Sequence, residues 1–318
     1  MTPNARKTLK IAVKTIVGIV VVAATAIRLR SSWNDLVSRG ETPTIDWRLF
    51  LVAAVAYLLG LLAFGFYYRL ILNASAAPIG LLAALRAYVI SHLGKYVPGK
   101  ALVVVMRVGL STPFGARAST AAVATFYETL VMMAVGGWFA LAAAAASGDL
   151  KPDADSAIAL GLALIFSVFV EPRVFPRVAK LVSSPIPGVG PESFPRFSYR
   201  LLAEGAGIAA VGWLCWGASL TFIVASIGHV STISFQTACR LAAATSFATV
   251  AGFAVPVSPG GLGVRELLIA RAATPAIGAD RAILAAVLLR LSWIACEAAI
   301  GVVALLIRPR KPEPVASI

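Results

Sequence analysis

Long uncharged apolar stretches recur along this chain, and charged residues collect in the short segments between them. Residues 49–68, 129–148, 205–239 and 241–264 contain no Asp, Glu, Lys or Arg. Each is about 20 residues or longer, the length a helix needs to cross the hydrocarbon core of a bilayer. Apolar length read against turn signals predicts spans near 9–28, 49–72 and 117–147, then a short span near 155–171, a longer one near 201–228 and a last near 281–307. Two further apolar segments are interrupted. Residues 81–110 carry Arg86, His92, Lys95, Lys100 and Arg107 and break at Val97-Pro98-Gly99-Lys100, and residues 235–273 break at Pro256-Val257-Ser258-Pro259-Gly260-Gly261-Leu262-Gly263. Proline lacks an amide donor and clashes with the preceding turn, so each break predicts two half-helices meeting in a re-entrant hairpin.

Each half then reads as span, span, broken hairpin, span, over about 9–147 and 155–307. An odd number of crossings per half turns the second half upside down relative to the first, giving an inverted repeat. The expected fold is therefore all-α and membrane-integral, a single polytopic domain over 1–318 with about six transmembrane helices and two re-entrant hairpins. Loop charge orients it. With both termini cytoplasmic, the loop carrying Arg173, Arg177, Lys180, Arg196 and Arg200 and the tail with Arg308, Arg310 and Lys311 fall inside, and the acidic loop with Asp149, Asp153 and Asp155 falls outside, as the positive-inside bias requires. The arginines of the loop 28–48 run against this assignment. Trp33 and Trp47 mark that loop as an interfacial segment whose bases reach headgroups.

Composition agrees: 59% of residues are hydrophobic and 13% charged, with a mean hydropathy of +0.87, far from the balance of water-soluble domains. The basic residues before the first span mimic a signal peptide, but the spans that follow make it a retained helix. The net charge of +14 is spread over loops and spans with no aromatic-interleaved patch, so it predicts membrane orientation and anionic lipid, not nucleic acid. Cys215, Cys239 and Cys296 show no ligand spacing and read as small apolar fillers. His92 and His229 lack carboxylates or cysteines at ligand spacing; they read as local hydrogen-bonding groups, and no metal or other cofactor is expected. Nucleotide-binding and hydrolase motifs are absent from the sequence.

The chemistry lies in the broken segments. Half-helices beginning after Pro98-Gly99 and after Pro259-Gly260-Gly261 would present free amides and positive dipole ends. Lys95, Lys100, Arg107 and Arg265 add full charges there, a combination suited to a phosphate or other anionic headgroup. Interhelical turns shaped by Gly and Pro, with bases snorkelling to the interface, would look the same for any one residue. Glu128 sits within the span 117–147, and Arg290 and Glu297 are seven residues apart on one face of the last helix. An ionised side chain at the membrane centre costs about 2.5–3.5 kcal/mol on insertion scales, so each requires a partner or water. Glu128 and Glu297 serve equally well as site residues or as structural partners of Arg107 or Arg290. Arg86, Lys95, Lys100, Arg107, Arg240, Arg265 and Arg290, set against Glu128, Glu266 and Glu297, leave the interior net positive by four. An anion would complete that set. Arg86 and Arg240, early in their hairpins, are expected at the interface.

Leu93-Gly94-Lys95-Tyr96-Val97-Pro98-Gly99-Lys100 with Arg107, and Ser258-Pro259-Gly260-Gly261-Leu262-Gly263-Val264-Arg265-Glu266, resemble the transmembrane flippase domain of bacterial lysylphosphatidylglycerol synthases and the related stand-alone membrane proteins. The resemblance covers most of the chain and implies movement of a lipid between leaflets of the cell's inner membrane. Residues matching the shared motifs are Lys95, Pro98, Gly99, Lys100 and Arg107, then Pro259, Gly260, Gly261, Gly263, Arg265 and Glu266; Lys100 stands where relatives often have a small residue. The chain ends soon after its last span, so the aminoacyl-transferase domain of the bifunctional synthases is not expected.

Three functions follow from these readings. A lipid translocase would pass an anionic headgroup between the hairpins while acyl chains stay in lipid, and would need Arg107 and Arg265 but not for folding. A membrane-embedded transferase on a lipid-linked substrate would need Glu128 or Glu266 as base. An accessory subunit of a lipid-modifying system would tolerate loss of the interior charges. The small-residue face 140–146 would also allow close packing of a second copy.

Overall fold

The computed structural model describes residues 44–75, 78–96, 101–183, 194–228, 233–254, 263–307 and 309, with scattered positions between 27 and 40. These form ten α-helices: α1 (Trp47–Asn73), α2 (Leu81–His92), α3 (Ala101–Ser111), α4 (Ala118–Ser147), α5 (Ala154–Val170), α6 (Phe175–Ser183), α7 (Tyr199–Gly228), α8 (Phe235–Ala254), α9 (Val264–Ile277) and α10 (Ala279–Leu306). The expected first span and the two Pro-Gly breaks lie outside the described residues, apart from Ile27 and Gly263. Of the described helices, α1, α4, α7 and α10 are long and apolar enough to cross a membrane, and α5 with α6 passes as a fifth span bent by 77°. The chain is an all-helical, multi-pass membrane protein.

Each long helix is apolar around most of its circumference, so small residues on one side decide which face packs. The α1–α7 pair shows the rule. A Cβ on Gly60 would stand 2.5 Å from the Trp216 ring and 2.9 Å from the Gly212 carbonyl, and one on Gly212 would stand 2.5 Å from the Phe64 ring. The freed depth is filled by indoles, whose N–H groups donate to backbone carbonyls: Trp216 to Tyr57 at 3.2 Å and Trp213 to Met132 of α4 at 2.9 Å. In lipid, where apolar surface has no water to escape, close packing and such bonds hold helices together. Gly60→Ala is therefore expected to destabilise the protein by about 1–3 kcal/mol, the cost of overpacking a filled interface, read as a lowered unfolding temperature in detergent. The outer faces stay apolar and exposed, as with Leu51, Val55 and Leu59 on α1 and Leu164, Ile165 and Val168 on α5. α4 is the central post, packed by α1, α3, α5, α7 and α8.

Polar contacts between helix ends define the two ends of the bundle. At one, the Arg196 amide donates to the Ala74 carbonyl at 3.0 Å, Arg86 of α2 donates to the Ala304 carbonyl of α10 at 2.9 Å, and the Tyr127 hydroxyl of α4 donates to the Val170 carbonyl at 3.1 Å. At the other, the Asp46 amide donates to the Ser226 carbonyl at 3.0 Å, Arg240 of α8 forks onto Asp149 at 2.6 and 2.9 Å, and Arg271 of α9 faces Asp155 at 3.5 Å. Thus α2 starts from the first end, whereas α8 starts and α9 finishes at the second.

The Arg240 hydrogen bonds hold the Asp149 carboxyl below its ordinary value of 3.8. A depressed carboxylate contributes stability that is fully present above pH 3.8 and lost as pH falls through the folded-state value. Acid unfolding of Asp149→Asn should accordingly lack part of the wild-type pH dependence below that point; because the pair is about one-third exposed, the effect will be small.

Candidate functional site

Where α2 ends, the chain tightens into a single 3₁₀ turn, Leu93–Tyr96, and α3 runs back alongside α2. Gly94 permits that return: a Cβ there would lie 3.1 Å from the Val103 amide. The turn sets His92, Lys95 and Tyr96 against α10, and α3 carries Arg107 inward against α4. In the second half, Gly263 opens α9 at φ +89°, a left-handed conformation that glycine adopts without a Cβ clash. Its amide donates to the Glu266 carboxylate at 2.7 Å, closing the first turn. That turn aims Arg265 at the same interior.

Arg107 and Glu128, 2% and 1% exposed, form a buried ion pair at 3.1 Å. Each is further satisfied. Arg107 Nε donates to the Ser91 hydroxyl at 3.0 Å, and its guanidinium lies 4.1 Å from the Tyr88 ring centre and 5.0 Å from that of Tyr68. Glu128 also accepts from the Tyr88 hydroxyl at 3.1 Å and from Thr129 at 3.3 Å. Planar guanidinium, stacked rings and a fully bonded carboxylate are what a buried pair needs to offset its desolvation.

Glu297, 1% exposed, anchors a second cluster. It accepts from Lys95 Nζ at 2.6 Å, from the Tyr96 hydroxyl at 2.8 Å and from the Tyr57 hydroxyl. The Tyr57 ring stacks on Trp293 at 4.4 Å and on Trp216 at 5.5 Å. His92 Nε2 is 2.8 Å from Lys95 Nζ and 3.7 Å from Glu297. Because the ammonium can only donate, this nitrogen accepts, and the His92 ring is neutral with its proton on Nδ1. Arg290 faces Glu266 at 3.9 Å.

Between the clusters lies a cavity of about 240 Å³. The first half supplies Tyr88, His92, Lys95 and Arg107, the second supplies Thr249, Gly252, Phe253 and Arg265, and Glu128 stands on the α4 wall. Arg265 is only 9% exposed and lies 5.1 Å from the Trp293 ring centre, yet it makes no hydrogen bond or ion pair among the described residues. Phe126 lines the cavity and is itself 56% exposed, so the chamber is open at the surface of the bundle beside it.

The expected site residues therefore divide. Lys95, Arg107, Glu128 and Arg265 line the cavity, and Glu297 stands directly behind Lys95. Gly263, Glu266 and Arg290 build the start of α9 and its neighbour. Glu297 pairs with Lys95, not with Arg290 or Arg107, because the 3₁₀ turn brings Lys95 across to α10. Pro98, Gly99, Lys100, Pro259, Gly260 and Gly261, along with His229, lie outside the described residues. Arg86 and Arg240 sit at the two ends of the bundle. His92 is the local hydrogen-bonding group expected, 2.8 Å from Lys95, and folding also places it 3.7 Å from Glu297, more than 200 residues away. Sequence reasoning also passed over Tyr57, Tyr88, Ser91 and Tyr96. The available signal was a hydroxyl at each of four positions within or beside apolar segments, where every polar group requires a partner.

The fold and the site define a multi-pass helical membrane protein with a charged chamber inside its bundle. The chain is more closely defined by its family: residues 11–301 match the family described as the lysylphosphatidylglycerol synthase TM region, and the chain is a member of it. No curated protein matches the chain at a significant level.

Proposed function

We propose that this protein is a lipid translocase that moves a lipid with an anionic headgroup between leaflets. The observation that carries this reading is Arg265. A guanidinium stays charged at any physiological pH, and burying it without a counter-ion costs several kcal/mol. Evolution tolerates that cost where a ligand completes the pairing. A phosphate docked on Arg265 would also meet the Lys95 ammonium, two of whose three N–H groups are engaged by Glu297 and His92. The chamber is far smaller than a whole phospholipid, and its reach to the surface at Phe126 leaves the acyl chains in the bilayer, where they belong by solvation.

In this reading the halves form an inverted repeat whose two broken segments are re-entrant hairpins approaching from opposite leaflets, and the termini face the cytoplasm at the inner membrane. Family membership supports a role in lipid modification or movement. Of those two, the carboxylates favour movement: Glu128 is occupied by Arg107, Tyr88 and Thr129, and Glu266 by the Gly263 amide and Arg290, so neither is free to act as a base. The test is reconstitution into vesicles carrying a fluorescent anionic phospholipid in both leaflets, with an impermeant quencher outside. Wild-type protein should expose the inner-leaflet pool and Arg265→Gln should not. An inner-leaflet pool as protected as in protein-free vesicles would overturn the proposal.

A further inference from the structure

Two threonines on the chamber wall have a chemistry opposite to that of its bases. In a membrane helix a hydroxyl proton needs an acceptor, and here each finds one on its own helix. Thr129 of α4 donates to the Thr125 carbonyl at 2.9 Å and to Glu128 at 3.3 Å, and Thr249 of α8 donates to the Thr245 carbonyl at 2.7 Å. A hydroxyl has one proton and two lone pairs, so what each threonine keeps for a ligand is an acceptor. Both line the chamber, and α4 packs directly on α8, so they stand on adjoining walls. Thr125, also on the α4 wall, differs: its hydroxyl is bonded to the Tyr68 side chain as well as to the Ala121 carbonyl.

The bases of the chamber offer the complement. Arg265, 9% exposed and without hydrogen bond or ion pair among the described residues, can only donate, and so can Lys95. A phosphate diester accepts hydrogen bonds but carries no proton at neutral pH, so it satisfies the bases and does nothing for the threonines. A ligand that satisfies both carries donor groups beyond its phosphate. Hydroxyls fit that description better than an ammonium. The Glu128 charge beside Thr129 is already offset by Arg107 at 3.1 Å, and Arg265 would repel a second uncompensated cation within a cavity of about 240 Å³.

We infer that Thr129 and Thr249 make the chamber selective, among anionic phospholipids, for headgroups that bear free hydroxyls beyond the phosphate. The inference rests on the chamber being the headgroup site. It gives the parts of such a headgroup separate partners, the phosphate meeting Arg265 and Lys95 and the hydroxyls meeting the threonines. Without those acceptors the preference would run the other way, because Met132, Met133 and Phe253 line the same space and favour an alkyl group over a polar one.

The experiment titrates the full chain, purified in detergent, with dihexanoyl phosphatidylglycerol and with dihexanoyl phosphatidylpropanol, which has the same charge and headgroup carbon chain but no hydroxyl, and reads affinity by calorimetry. The glycerol lipid should bind about fivefold tighter, the ratio that one net hydrogen bond to a neutral acceptor produces. Thr129→Val/Thr249→Val, which keeps the side-chain shape and removes the acceptors, should bring the ratio to one or below by weakening the glycerol lipid, and Thr129→Ser/Thr249→Ser should restore it. Arg265→Gln should weaken both lipids alike. Equal wild-type affinities, a ratio unmoved in a valine variant of wild-type unfolding temperature, or binding untouched by Arg265→Gln would each overturn the inference; the wild-type comparison decides it even where the valine variant does not fold. Equal affinities leave translocation of anionic lipid standing, whereas the expected ratio beside a wild type inactive in vesicles would strike translocation alone.

Discussion

Arg265→Gln will lose anionic-lipid translocation while its unfolding temperature stays level or rises. The guanidinium is 9% exposed and makes neither hydrogen bond nor ion pair among the described residues, so removing its charge leaves no described acid stranded and relieves a desolvation cost. The functional side runs the other way. Two charge-assisted hydrogen bonds to a phosphate contribute about 1.5–3 kcal/mol each, so their loss should weaken headgroup binding by about a hundredfold or more. Arg265→Lys, which keeps the charge but not the bidentate fork, should fall between. Vesicle translocation rates and thermal unfolding in detergent, measured on the same preparations, separate the two effects. A glutamine variant that is both inactive and strongly destabilised would make Arg265 a structural residue.

Arg107 will behave differently, although sequence reading treats the two arginines alike. Arg107→Met strands the Glu128 carboxylate, and Glu128→Gln strands the Arg107 guanidinium, each in an environment at most 2% exposed. Breaking one side of such a pair costs about 3–5 kcal/mol. The double variant removes both charges together, so it should be less destabilised than the sum of the singles by about 2 kcal/mol, a coupling typical of residues in direct contact. Equilibrium unfolding of the four proteins in detergent closes the cycle, and additive losses would mean the pair carries no coupling energy. Neutralising Arg107 is therefore expected to cost stability, whereas Arg265, with no hydrogen bond or ion pair among the described residues, is expected to be neutralised without that loss.

Much of the architecture is legible in the chain because a bilayer imposes a length and a polarity on each element. The stretch 49–68 lies within α1, 129–148 ends with α4, and the segment expected to be helical near 155–171 is α5 at Ala154–Val170. Lys95 and Arg265, the bases flanking the two interruptions, do line one cavity. Residue type and local spacing suffice for these conclusions, since helix length, helix breaking and the cost of charge in hydrocarbon are local properties.

Pairing is not local. Lys95 meets Glu297 across 202 residues and Tyr57 meets it across 240, and nothing in the spacing of the chain distinguishes those partners from Arg290 on Glu297's own helix. Which acid neutralises which base depends on where glycines let helices approach, as at Gly60 and Gly94, and on the angle at which each turn returns the chain. By itself, the sequence determined that this is a helical membrane protein carrying more interior positive than negative charge. Only the tertiary structure decided that Arg265 faces the cavity with no ion pair among the described residues, because a charge is paired or unpaired by distances of a few ångströms that long-range packing alone sets.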